Sequence, residues 1–165
     1  MPRIELRAFQ PERDPSLIST WLERPHVARW WGESSEALLE LRAHDAETVA
    51  LIILDEKPVG LLCWQTPSPA ELGQAGLADL PSDLIDVDIM IGEPSAQGRG
   101  VGPEALRLLF ERLRARGTLL AGLATALANQ RALSAFAKVG LRPFRDFVEL
   151  GEQYRSFTRR LADAA

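Results

Sequence analysis

Gln97, Gly98, Arg99, Gly100, Val101, Gly102 and Pro103 form a glycine-alternating stretch between two strongly patterned segments. On its N-terminal side, Leu84 to Ile91 is rich in aliphatic residues and predicts a strand. On its C-terminal side, Leu106, Leu109, Phe110 and Leu113 recur at helical spacing, so Pro103 to Arg116 predicts an amphipathic helix. Gly117 ends that helix, and Arg112, Arg114 and Arg116 favour its negative end. Glycines at alternate positions let the main chain approach a bulky anion and turn several N–H groups toward it, while the positive helix end adds to the attraction. The spacing suits a pyrophosphate. Pro103 lacks an N–H where the first helical turn needs none. Read alone, the pattern also fits an ordinary strand-to-helix turn. Two nucleotide motifs are absent: no acidic residue follows at dinucleotide-fold spacing after a first strand, and no Lys-Ser/Thr pair follows the last glycine as in a P-loop.

Working outward, Ile4, Leu6 and Ala8 alternate with charged residues and predict a half-buried strand. Asp14 and Pro15 read as N-cap and first position of a helix through Leu22, with further helical stretches over 25–31 and 35–43. The runs 48–54 and 59–65, joined by Asp55, Glu56, Lys57 and Pro58, predict an antiparallel hairpin. Residues 66–83 are filled with Pro, Gly, Ser and Ala and predict a long surface loop. Beyond the glycine stretch, 119–127 reads as a buried strand, 129–139 as a helix ended by Gly140, and 144–150 with 155–160 as a closing antiparallel pair. The expected fold class is α/β (α+β), with a mixed, mostly antiparallel central sheet flanked by helices in the order β-α-α-β-β-β-α-β-α-β-β.

The 165 residues suit one domain over 1–165, and 46% hydrophobic with 25% charged residues is the balance of a packed globular chain. Such a chain buries roughly 70% of its unfolded surface and needs no disulfide or metal to hold a core. Cys63, the only cysteine, lies in the apolar run Val59 to Trp64, which excludes an internal disulfide and reads as core filler. No signal-length apolar stretch opens the chain and none is long enough to span a membrane, so a cytoplasmic location is expected. A net charge of −4 argues against a nucleic-acid surface. It is compatible with a cationic small-molecule partner. No His or Cys cluster has metal-ligand spacing, so no metal is expected.

Asp86 and Asp88 project from one face of the predicted strand, about 7 Å apart, with Val87, Ile89 and Ile91 on the other. Two carboxylates at that spacing suit a cationic amine and the removal of its proton. Acids are depleted in strands, and both residues directly precede the glycine stretch. Solvated residues at a strand that begins on the surface are the plain alternative. Trp21 and Trp64 belong to apolar periodic runs and read as core, whereas Trp30 and Trp31 adjoin Gly32 and Glu33 outside such a run and are candidates for lining an acceptor site. Asn129 stands at the N-cap position of its helix.

Gln97 to Gly102 resembles the Gln/Arg-x-x-Gly-x-Gly/Ala signature of the GNAT superfamily of N-acetyltransferases. Asn129, Ala132, Phe136 and Gly140 resemble the Asn-x-x-Ala-x-x-x-Tyr and following glycine of the same superfamily. His26 to Gly32, with its Trp-Trp-Gly, and Val87 to Pro94 resemble segments of the aminoglycoside 6'-N-acetyltransferases, a family associated with antibiotic resistance. The likeness extends over nearly the whole chain.

The resemblance implies acetyl-coenzyme A as co-substrate and transfer of its acetyl group to an amine. It implies cofactor contacts at Ile89, Met90, Ile91, Gln97, Gly98, Arg99, Gly100, Val101, Gly102, Asn129 and Phe136, and substrate contacts at Trp30, Trp31, Asp86 and Asp88. Asp88 is the expected ligand and base for the acceptor amine, with Asp86 second. A main-chain N–H at Ile89 or Met90 is expected to serve the acyl oxygen if a bulge opens the strand there. Two departures stand out: Ala124 replaces an acidic residue that contacts the antibiotic, and Phe136 replaces the Tyr often drawn as proton donor. Tyr154, the only tyrosine, or water then remains to protonate the leaving sulfur.

A primary amine of a cationic small molecule is the leading acceptor class. A polyamine, a hydroxylamine metabolite or a peptide N-terminus is the near alternative, and a catalytically silent acyl-coenzyme A-binding module the distant one. Monomer and homodimer are equally compatible with the sequence.

Overall fold

The hydrophobic patterning resolves into thirteen elements in a computed structural model that describes residues 2–74, 76–81 and 83–161. In chain order they are β1 (Ile4–Ala8), α1 (Pro15–Leu22), α2 (Pro25–Trp31), α3 (Ser34–Ala43), β2 (Val49–Leu54), β3 (Lys57–Gln65), α4 (Pro69–Gln74), β4 (Ile85–Ile91), α5 (Val101–Ala115), β5 (Leu120–Ala126), α6 (Gln130–Lys138), β6 (Arg142–Glu149) and β7 (Glu152–Arg160). The strands form one seven-stranded sheet in the order β1-β2-β3-β4-β5-β7-β6. The pairs β1–β2, β2–β3, β5–β7 and β6–β7 are antiparallel, and β4–β5 is parallel over Ile85–Ala121 and Asp86–Gly122. This is the mixed, mostly antiparallel α/β arrangement the pattern predicts. The helical stretches expected over 25–31 and 35–43 are α2 and α3, so three helices stand between β1 and β2 where the condensed order has two, and α4 interrupts the segment read as loop.

The chain divides into two compact units, Met1–Cys63 with Ile89–Ala105 and Trp64–Asp88 with Leu106–Ala165. In the first, every residue of β2 is buried, as a continuous apolar run requires when both faces of a strand are covered. Leu51, Ile53 and Leu61 pack with Ile18, Trp21 and Leu22 of α1, Val27 of α2, Leu41 of α3, Cys63 and Met90. Cys63 is thus core, as its apolar context predicts. The hairpin turn is tighter than expected. Asp55 and Glu56 alone form it, at φ +48° and +72°, and Leu54 pairs directly with Lys57. Asp14 begins α1, but its side chain makes no cap bond. It turns away to accept the Gln10 N–H and two bonds from the Arg7 guanidinium, which offset its burial.

In the second unit, Leu106, Leu109, Phe110 and Leu113 are all buried on the inner face of α5, each worth about 2 kcal/mol of burial. The helix opens at Val101, two residues before Pro103, which keeps the proline inside the first turn where no N–H is needed. Residues 66–83 are not the plain surface loop predicted. Leu72, Leu77 and Leu80 bury together with Leu84, and Leu120 and Phe147 pack on them. Arg145 fastens this segment to β6 by two 2.6 Å bonds to Asp79 and one to the Gly76 carbonyl.

Candidate functional site

Strand β4 has the sequence Ile-Asp-Val-Asp-Ile-Met-Ile. Val87 and Met90 are buried, Asp86, Ile89 and Ile91 half-buried, and Asp88 exposed, so strict inside-outside alternation lapses after Asp88. Burial pushes the Asp86 carboxyl up to about 8, with the negative fields of Asp88 and Glu71 adding to it. Glu71, on α4, is a third carboxylate acting at this place. It lies in the segment that the sequence presents as loop, so no strand or helix period marks it. A carboxyl so raised titrates close to neutrality.

The glycine stretch follows a short 3-10 turn at Pro94–Ala96 in the first unit. Gly98 and Gly100 sit at φ +72° and +76°, the left-handed region that side-chain-bearing residues enter at a cost of about 1–2 kcal/mol. A Cβ at either position would meet nothing within 4 Å, so these glycines are required by main-chain conformation and not by crowding. Gly102 is different: it lies within α5, without positive φ, and its nearest neighbour is Ile89 Cδ1. At the start of α5 the Glu104 N–H donates to the Gly100 carbonyl at 3.3 Å. The N–H groups of the first turn precede the internal ladder and face outward along the helix axis. Val101 is buried, so only its main chain is available at the opening of α5.

The end of β4 is gripped by the first unit's helices. The N–H groups of Gly92 and Glu93 both donate to the Val59 carbonyl, at 2.8 and 3.0 Å, the convergence that marks a bulge. This irregularity lies beyond Ile89 and Met90, the positions expected to carry it. The Trp21 indole N–H donates to Glu93 Oε1 at 2.9 Å, and Arg24 donates to Glu93 Oε2 at 2.8 Å and to the Gly92 carbonyl at 3.0 Å. His26 Nε2 donates to the Ile91 carbonyl at 3.0 Å. The Arg24 and Trp21 bonds hold the Glu93 carboxyl below its usual range. Trp21 is core, as predicted, yet the sequence carries no signal for its polar edge or for the partners Arg24 and Glu93. Contacts spanning some seventy residues leave no local spacing to read.

Asn129 caps α6 as expected, accepting the Ala132 N–H at 3.2 Å. Phe136 is buried edge-to-face against Phe157, with centroids 5.4 Å apart. Tyr154, on β7, stacks on Phe147, and burial, then Glu152 and Glu149, raise its hydroxyl above the ordinary range. Ala124 is exposed on β5. Trp30 and Trp31 are both half-buried, but Trp30 lies under the Arg29 guanidinium at 4.6 Å whereas Trp31 packs on the first unit's core. Among the described residues no group of three or more His, Cys, Asp or Glu is placed to hold a metal, and no helix is long and apolar enough to cross a membrane.

A helix opened by left-handed glycines thus follows an acid-bearing strand in a mixed seven-stranded sheet. A family model described as acetyltransferase (GNAT) domain matches residues 10–148, drawing on both compact units, and the chain belongs to that family. Among curated proteins, it is similar to the aminoglycoside N(6')-acetyltransferase type 1 of Klebsiella pneumoniae, 26% identical over an alignment 115 positions long that covers 62% of this chain and 55% of that protein. The aligned stretch thus spans little more than half the length of that relative. Among solved structures, the fold is that of the aminoglycoside acetyltransferase AAC(6')-Ib in complex with coenzyme A, with a TM-score of 0.77, 18% identity, and coverage of 96% of this chain and 95% of that one. It is likewise that of the aminoglycoside N(6')-acetyltransferase of Legionella pneumophila, with a TM-score of 0.70, 14% identity, and coverage of 96% and 92%.

Proposed function

We propose that this chain is a single acetyltransferase domain that moves an acetyl group from acetyl-coenzyme A to a primary amine of a cationic small molecule, with aminoglycosides as the leading acceptor class. The observation that carries the reading is the pair of left-handed glycines, Gly98 and Gly100, opening α5 just downstream of a strand that bears Asp86 and Asp88. Open space at both glycines and outward N–H groups in the helix's first turn fit a diphosphate held by main chain. The residues assigned to the cofactor are Gln97, Gly98, Arg99, Gly100, Val101 and Gly102 at the diphosphate, and Ile89, Met90 and Ile91 along the pantetheine arm. Asn129 and Phe136 are assigned through the family likeness.

Acetyl-coenzyme A supplies an acyl group already activated as a thioester. An alkylamine is mostly protonated at neutral pH, so the chain's own task is to bind the ammonium, remove one proton and present the neutral nitrogen. Asp88, exposed, is assigned as first contact and base. Asp86 acts as the neighbouring proton store, since its raised pKa brings its titration close to neutrality. Asp88 takes the ammonium's first proton and passes it to solvent; the N–C bond then forms as the C–S bond breaks, and the second proton, lost by the nitrogen as the amide forms, balances the one taken up by the sulfur. Trp30, with its ring half-buried, is assigned to the acceptor side ahead of Trp31, which serves the core.

The exposed Ala124 and the buried Phe136 favour a second reading in which the chemistry stays and the acceptor differs: a polyamine, a hydroxylamine metabolite or a peptide N-terminus. Thiol release with a panel of amines separates these readings. Turnover with kanamycin-type acceptors supports the first, turnover only with other amines supports the second, and cofactor binding with no turnover on any amine removes the enzymatic reading.

A further inference from the structure

The segment Ile91-Gly92-Glu93 joins the strand assigned to the pantetheine arm to the loop assigned to the diphosphate, and side chains of the first unit hold it along its length. Its outer carbonyl, at Ile91, accepts from His26, and the Gly92 carbonyl accepts from Arg24. Both following N–H groups converge on Val59, and the Glu93 carbonyl accepts the Ala96 N–H that begins the next turn. The Glu93 carboxylate then receives one bond from Trp21 and one from Arg24.

Packing reinforces the polar grip. A Cβ at Gly92 would lie 2.1 Å from Cγ of the fully buried Trp21, so the indole ring rests directly on the main chain there. The Trp21 indole is immobilised in the core, and Arg24 is the N-cap of α2, with an extended main chain fixed by bonds from Val27 and Ala28. The donors therefore come from a rigid corner, and Arg24 Nη1 bridges a main-chain carbonyl and a carboxylate on consecutive residues.

We propose that Arg24 and Glu93, with Trp21, are positioning residues that fix the spacing between the pantetheine-side strand and the diphosphate loop, and so set affinity for the coenzyme without touching it. The inference rests on the acetyl-coenzyme A reading above. Charge-assisted bonds of this length are the strong ones, and their loss releases the joint while the core under Trp21 stays packed.

The test compares coenzyme A affinity by calorimetry, KM and kcat, and thermal stability in the parent, Arg24→Met, Arg24→Lys and Glu93→Gln. Methionine keeps the stem and removes both donors. Lysine keeps the charge and three donors on a stem one bond shorter, and glutamine leaves one of the two donors facing an amide N–H₂. The expected result is a coenzyme A affinity weakened about tenfold in Arg24→Met and Glu93→Gln and restored to about threefold of the parent in Arg24→Lys, with acceptor KM little moved. Affinity within about twofold of the parent in both Arg24→Met and Glu93→Gln overturns the proposal. So does an equal loss in Arg24→Lys and Arg24→Met that simply follows their thermal stability. Should Arg24→Met not fold, Glu93→Gln decides alone. A parent that itself binds no coenzyme A sinks the functional reading instead, which keeps the two failures distinct.

Discussion

Replacing Asp86 by Asn separates the cost of its carboxylate from its use. Burial, aided by Asp88 and Glu71, raises the folded-state pKa from 3.8 to about 8. The native protein therefore keeps a proton that the unfolded chain releases as pH rises above about 4. The stability linked to this proton is fully present below the unfolded pKa, and it falls as pH climbs toward about 8, by at most about 1.4 kcal/mol per pH unit for one proton. Between pH 5 and pH 7 the loss has a ceiling of about 3 kcal/mol, a large share of the 5–15 kcal/mol typical of a domain. Asp86→Asn carries no such proton, so its stability should decline less over that interval, and it should overtake the parent toward pH 8. Urea unfolding of both proteins at pH 5, 6, 7 and 8 measures the difference. Parallel profiles would show that Asp86 titrates normally and would remove the proton-store role assigned to it.

Asp88→Asn should lower turnover by about a hundredfold while leaving coenzyme A affinity within about twofold, because it removes a base and not a cofactor contact; steady-state kinetics beside calorimetry checks both. Gly100→Val places a β-branched residue at φ +76° in otherwise open space, so it should weaken coenzyme A binding about tenfold through main-chain distortion. Unchanged affinity there would detach the loop from the diphosphate. Gly60→Ala sets a Cβ 2.1 Å from the Met90 carbonyl oxygen, which is main chain and cannot rotate aside, and should cost about 3 kcal/mol in chemical unfolding. Asn129→Ala, which deletes the cap on α6, should cost about 1 kcal/mol by the same assay.

Where sequence and fold agree, a period or a forced conformation wrote the structure into the chain. The unbroken apolar run of β2, the four buried positions of α5 and the glycine-ended helices were legible because each follows from local geometry. The segment 66–83 was not, since α4 is only six residues long and its leucines bury against Leu84, Leu120 and Phe147, which lie elsewhere in the chain. The Asp14 side chain left its expected cap because the nearby Arg7 guanidinium and Gln10 N–H offered it stronger partners. Asp86, Asp88 and the glycines carried chemical signals that could be read directly. Glu71 and the Arg24–Glu93 joint carried none, as their roles exist only once distant segments meet.

Hydrogen–deuterium exchange across the loop, with and without acetyl-coenzyme A, addresses the grip of the main chain most directly. Slowed exchange at Gly98, Arg99, Gly100, Val101 and Gly102 on adding the coenzyme is the result expected of amides that hold its diphosphate. Unaltered exchange at those five residues, with coenzyme demonstrably bound, would place the anion somewhere else and contradict the account.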